Sequence, residues 1–157
     1  MLPYEKVKLV IVGDSGVGKT TVLNHLLHKS YIQPTITLGI DLYVHTHTIN
    51  NNSVKFQLWD TTGIEGLRST VLQHLKGTDA TILVHDDTQP LEPYVSKWIP
   101  SIKAQTSSQI FLFHTKGSCD PPNLSSSYID MGNIKSQDNI DLVYKKIYTG
   151  IKDSRGF

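Results

Sequence analysis

The sequence predicts an α/β chain built on a mostly parallel six-stranded sheet, with one antiparallel strand and helices on both faces. Three observations carry this expectation. Val7 to Val12 is an apolar, β-branched run that ends in a glycine-rich turn and passes directly into helical spacing at Val22, Leu23, Leu26 and Leu27. Asn50-Asn51-Asn52 is a turn signal between two alternating segments, so two strands return on each other as a hairpin. Beyond it, strand patterns at Ala80 to Val84 and Gln109 to Phe113 alternate with helical ones, the order of a parallel sheet covered on both sides.

The elements follow in sequence. After the first strand, Lys19 to His28 reads as a helix and Tyr31 to Gly39, broken by Pro34, as a loop. Ile40, Leu42 and Val44 then alternate with Asp41, Tyr43 and His45, a strand on a half-exposed face, and Val54, Phe56 and Leu58 form the strand that stops at Asp60. A short helix is expected from Gly66 to Leu75, and the strand from Ala80 ends at Asp86-Asp87. Leu91 to Ala104 is a helix carrying Trp98, confined or kinked by Pro93 and Pro100. Ser118 to Ser127 is loop, Tyr128 to Met131 a brief strand, and Asp138 to Lys152 the last helix with Asp138 as its N-cap. The 157 residues suit one domain spanning 1–157, with no internal repeat.

Bulk properties exclude several functions. Fifteen basic and 14 acidic residues are spread along the chain for a net charge of +1, so nothing demands nucleic acid or an anionic membrane. Cys119 is the only cysteine, which rules out an internal disulfide and suits a reducing, intracellular, cytoplasmic location. No apolar run approaches the ~20 residues needed to cross a bilayer.

The chemistry is concentrated in Gly13-Asp14-Ser15-Gly16-Val17-Gly18-Lys19-Thr20, a P-loop followed by Thr21. A triphosphate needs converging backbone N–H groups, and the glycines let the loop curl closely enough to supply them while the helix directs its N-terminus at the anion. Lys19 adds a mobile positive charge. The Thr20 hydroxyl can sit on Mg²⁺, and Asp60, ending a neighbouring strand, is the carboxylate placed to support that ion.

At this point the chain resembles the Ras superfamily of small GTPases, and most closely its Rab branch. Gly13 to Thr20 looks like the Rab form of the loop, Thr37-Leu38-Gly39-Ile40-Asp41 resembles switch I, Trp59-Asp60-Thr61-Thr62-Gly63 resembles the start of switch II, and Trp98 falls where the family has a tryptophan. The resemblance implies the P-loop NTPase (small G-protein) fold, GTP/GDP and Mg²⁺ as ligands, and catalysis through Lys19, Thr37 and Gly63. Thr37 would bind Mg²⁺ and the γ-phosphate, with Thr35 as its rival, and Gly63 would donate its N–H to the same phosphate. Tyr31 stands where the family often sets a ring beside the guanine. Effector or regulatory proteins would read the two switches, with Leu38, Ile40, Trp59 and Leu67 as the apolar contacts and Trp59 the foremost.

Three departures qualify the resemblance. Ile64 follows Gly63 where the family has a water-orienting glutamine, which implies slow hydrolysis. Thr115-Lys116-Gly117-Ser118 aligns with the base-recognition motif, but Ser118 replaces its aspartate. Asp120, two residues late, is the available carboxylate, and guanine selectivity should weaken. Asn133-Ile134-Lys135 replaces the third motif, leaving the Ile134 N–H and Lys135 for the base, and the segment before it is too short for the usual fourth helix. The ending Ser154-Arg155-Gly156-Phe157 holds no cysteine for prenylation, so membrane association is expected only through a partner or a further tail, with the chain acting as a monomer. The competing function is a pseudo-GTPase interaction module with a structural nucleotide; an ATP-using kinase lacks support. His45 with His47 and His25 with His28 are paired by spacing, yet no third ligand accompanies either, and solvated faces are the expectation.

Overall fold

The computed structural model describes residues 5–27, 40–61, 68–117, 124–136 and 139–154. The strands are β1 (Glu5–Val12), β2 (Asp41–Ile49), β3 (Asn52–Asp60), β4 (Ala80–Asp86), β5 (Gln109–Thr115) and β6 (Ile129–Asn133). The helices are α1 (Lys19–Leu26), α2 (Arg68–Gln73), α3 (Leu91–Lys103) and α4 (Ile140–Ser154), and a 3₁₀ turn at Ile134–Ser136 follows β6. The sheet order is β2-β3-β1-β4-β5-β6, and the β2–β3 hairpin is its antiparallel pair. This is the architecture expected from the alternating pattern.

The period of two in β1 explains the layers. Val7, Leu9 and Ile11 point to one face and join Val22, Leu23 and Leu26 of α1 with Val143, Tyr144, Ile147 and Ile151 of α4. Val10 and Val12 point to the other and join Val71 of α2 with Val95, Trp98, Ile99 and Ile102 of α3. From Leu9 to Val12 the strand is buried on both faces and reads as a continuous apolar run, whereas Lys6 and Lys8 in its first half keep contact with solvent. Because β1, β3, β4, β5 and β6 run parallel, their C-terminal ends gather along one edge, with Asp60 beside Ile11, His85 beside His114, and Asp86 beside Thr115.

Several boundaries and faces differ from the sequence expectation. On β2 the packed face is Tyr43, His45 and His47, whereas Leu42 and Val44 are 46% and 48% exposed. The reason is Tyr144 on α4, whose ring stacks on both imidazoles at 4.9 Å and 4.7 Å, while His47 Nε2 also meets Asp141 at 2.9 Å. These histidines are therefore packing groups and not a solvated face. Trp59, expected to face partners, is partly buried against the α2–α3 core, with its indole N–H enclosed. The α4 cap is Asn139, whose Oδ1 accepts the Leu142 N–H at 3.3 Å; Asp138 lies outside the described residues. Neither proline breaks α3: Pro93 sits in the first turn, where its missing N–H would be unpaired anyway, and the helix continues past Pro100. Residues 116–117 and 124–128, the described parts of the β5–β6 connection, hold no helix.

Gly150 sets how closely α4 approaches the sheet. A Cβ there would stand 2.8 Å from Phe111 Cζ and 2.9 Å from Ile129 Cδ1, inside contact distance of a buried strand. Gly150→Val should lose about 1–3 kcal/mol of stability by overpacking, read as a lower urea midpoint at unchanged slope.

Candidate functional site

The loop between β1 and α1 is held by its carbonyls. Lys19, 3% exposed as a residue, donates from Nζ to Gly13 O and Asp14 O, both at 2.9 Å. Lys116 Nζ donates to Gly16 O at 2.5 Å, and the Thr115 hydroxyl donates to Val17 O. Four loop carbonyls are thus drawn inward by three side chains. In a planar trans peptide the N–H opposes the C=O, so the same pull turns the Ser15 and Gly18 N–H groups to the opposite side. Gly18 has φ +100°, and a Cβ on it would lie 3.0 Å from the Thr115 side chain, so both backbone sign and space exclude larger residues.

A second set of contacts fixes the loop's outer side to α3. The Asp14 N–H donates to the Tyr94 hydroxyl at 3.1 Å, and that hydroxyl donates in turn to Val84 O. Burial holds the Tyr94 phenol far above its usual range, so it keeps its proton. The Asp14 carboxylate takes Lys97 Nζ at 2.8 Å and Trp98 Nε1 at 3.0 Å. Between loop and α3 lies a cavity of about 520 Å³, lined on one side by Asp14 to Val17 and on the other by Pro93, Tyr94 and Lys97.

On the base-motif side, Asp86 accepts from the Thr88 hydroxyl at 2.6 Å and meets Lys116 Nζ at 3.3 Å; the Thr88 hydrogen bonds hold its carboxyl below the usual range. Lys116 itself has φ +57°, an unfavourable conformation for a side chain, maintained by contacts at both its ends. Its carbonyl accepts Asn133 Nδ2 at 2.7 Å, and Lys135 Nζ reaches Gly117 O at 3.3 Å. Ile134 is buried in the 3₁₀ turn. Asp60 is 4% exposed at the end of β3, beside the end of β1 from which the loop departs.

The fold therefore brings Gly13 to Thr21, Asp60, Thr115, Lys116, Ile134 and Lys135 to one edge of the sheet. Tyr31, Thr35, Thr37, Gly63, Ile64, Ser118 and Asp120 lie outside the described residues. Sequence reasoning missed the anchors Tyr94 and Lys97, which carry no motif. It also missed a buried polar cluster of His85, Asp87, His114, Asp130 and Asn133. The one signal for that cluster was His85 and Asp87 two residues apart at a strand end, and it has meaning only once the register sets His85 against His114.

A mostly parallel sheet with such a loop between its central strand β1 and helix α1 defines a P-loop nucleotide-binding domain. Residues 8–120 match the family model of Roc, the Ras of Complex domain of DAPkinase. The Ras-related protein RABA4d of Arabidopsis thaliana is 30% identical over 115 residues, covering 72% of this chain and 52% of that protein. The structure of Methanosarcina barkeri Roco2 RocCORdC bound to GDP superposes with a TM-score of 0.72 over 97% of this chain and 50% of that one, at 21% identity, a likeness of fold. The chain spans about half the length of each. It belongs to the Roc family within the Ras superfamily of small GTPases. No helix among the described residues is long and apolar enough to cross a membrane.

Tyr94→Phe removes one oxygen and leaves the Asp14 N–H without its partner. A loss of about 1–3 kcal/mol in urea-unfolding stability is expected, with fluorescence and circular dichroism following one transition.

Proposed function

We propose that this domain binds GTP and GDP with Mg²⁺, hydrolyses GTP slowly, and acts as a Rab-like switch, with vesicle trafficking as its field. The observation that carries the reading is the buried Lys19 ammonium, folded onto the carbonyls of Gly13 and Asp14 at the mouth of a helix N-terminus. A cation held there, among N–H groups turned outward, is the electrostatic complement of a polyphosphate. The bound GDP of the Roco2 structure agrees with it.

The oxygen donors fit a hard cation: the Thr20 hydroxyl stands in the first turn of α1, and the Asp60 carboxylate ends β3. When bound, Mg²⁺ would supply charge neutralisation for the phosphates. Thr37 completes this set in our reading, with Thr35 as its rival, and Gly63 joins Lys19 at the γ-phosphate. Lys116 lies at the base end, with Thr115 anchoring the loop beside it; Ile134, Lys135 and Asp120 are the remaining base contacts, and Tyr31 the flanking ring. Effectors or regulators would dock on the switches, and the exposed Leu42 and Val44 of edge strand β2 extend that apolar surface.

Ile64 also supports a second reading, in which nucleotide is held as a structural ligand and never turned over. Single-turnover GTP conversion by the purified chain separates the two. We expect a Lys19-dependent rate below the ~10⁻⁴ s⁻¹ of an unassisted Ras site, abolished in Lys19→Ala. A rate equal to that of ordinary family members contradicts the slow-hydrolysis reading, and no conversion at all favours the structural one. Competition among GDP, ADP and XDP tests the base. Guanine preference weakened by about one to two decades relative to an intact motif, and weakened further in Asp120→Ala, is expected.

A further inference from the structure

We infer that His85, Asp87 and His114 form a site for a divalent transition metal of the zinc class, separate from the phosphate-side cation. Three ligand atoms converge: His85 Nδ1 and Asp87 Oδ1 at 3.1 Å, His85 Nδ1 and His114 Nδ1 at 3.3 Å, and His114 Nδ1 and Asp87 Oδ1 at 2.6 Å. Atoms at these separations lie on a circle of radius about 1.8 Å, so an ion at the ~2.0–2.1 Å distance of zinc ligands sits roughly 1 Å out of their plane with all three in reach. Two imidazoles and a carboxylate are the donor set of an open zinc site, with a fourth position left for solvent.

The surrounding hydrogen bonds are those a metal site needs. His114 presents its other nitrogen to the Asp130 carboxylate, at 3.0 Å and 3.1 Å to the two oxygens, and the Asp130 side chain is 1% exposed. With a proton on Nε2 held by Asp130, metal binding at Nδ1 requires only the proton shared with Asp87 to leave, which gives a carboxylate–histidine–metal triad. Asn133 Nδ2 donates to Asp87 Oδ2 at 2.9 Å, so the free carboxylate oxygen is oriented as well. Lone pairs this close repel unless a proton or a cation lies between them. One divalent ion with neutral imidazoles balances the two carboxylates; one shared proton does not. His85 is 3% exposed in its side chain yet lines the cavity beside the P-loop, the side from which an ion could enter.

Such an ion would tie β4 to β5 and, through Asn133 and the Lys116 carbonyl, brace the base-motif turn. The test is zinc titration of the purified chain against a chromophoric chelator, with Mg²⁺ and GDP kept in excess so that the phosphate side takes no zinc. One equivalent is expected in the wild-type chain and in the His45→Ala/His47→Ala double variant, whose imidazoles lie on β2. Asp130→Asn, which touches no ligand atom of the ion, should weaken zinc about 10- to 100-fold. Asp87→Asn, unchanged in volume, should abolish uptake while circular dichroism stays that of the wild type. Cobalt substituted into the unaltered chain should give the intense visible absorption of a low-coordinate centre, a readout that depends on no variant. Failure of the wild-type chain to take up zinc, equal uptake by Asp87→Asn, or loss of uptake in a His45/His47 variant whose circular dichroism matches the wild type would overturn the assignment.

Discussion

The inward pull on four carbonyls of the glycine loop is the constraint on which the site depends. Lys19, Thr115 and Lys116 each donate to that backbone, and two of the three come from the far end of β5, about a hundred residues away in sequence. A hydrogen bond from a buried charged donor such as Lys19 contributes about 1.5–3 kcal/mol, and those from the Thr115 hydroxyl and the solvent-screened Lys116 add less, together enough to fix the orientation of peptide units that glycine would otherwise leave free. The loop's shape is therefore a tertiary property. It exists because β4 stands between β1 and β5 and holds their C-terminal ends level.

The same register that levels the strand ends also builds the buried cluster next door. Parallel pairing sets His85 opposite His114 and Asp86 opposite Thr115, so adjacent residues serve different sites. Asp86 and Thr115 serve the phosphate loop through Lys116 and Val17, whereas His85 and His114 face Asp87 and Asp130. The irregular step between Leu112 and Phe113 in the β5–β6 pairing brings Asn133 level with His114, where its side chain joins both groups. A change in the register of β5 would disturb both at once.

How much of this could be read from the sequence depends on how local each cause is. The β1 strand, the glycine loop and α1 are contiguous, and their periodicities and turn chemistry state the strand–loop–helix unit outright. The layers follow from the double-sided burial of Leu9 to Val12. The packed face of β2 does not, because Leu42 and Val44 outrank Tyr43, His45 and His47 in hydrophobicity. Only the position of Tyr144, about a hundred residues downstream, makes the aromatic face the inner one. Trp59 misleads for the same reason, since a tryptophan beside a switch motif suits either a partner or a core. Tyr94 and Lys97 became visible as anchors only when α3 was placed against the loop.

Everything proposed for function rests on the claim that the outward-turned face of the loop holds a guanine nucleotide. Identifying and counting the nucleotide that co-purifies with the chain, by native mass spectrometry and chromatography of the acid-released ligand, tests it most directly. The account predicts close to one equivalent of guanine nucleotide, predominantly GDP, retained in Mg²⁺ and released by chelation. A chain that purifies empty and takes up no GDP in the presence of Mg²⁺, or that carries adenine nucleotide instead, would contradict it.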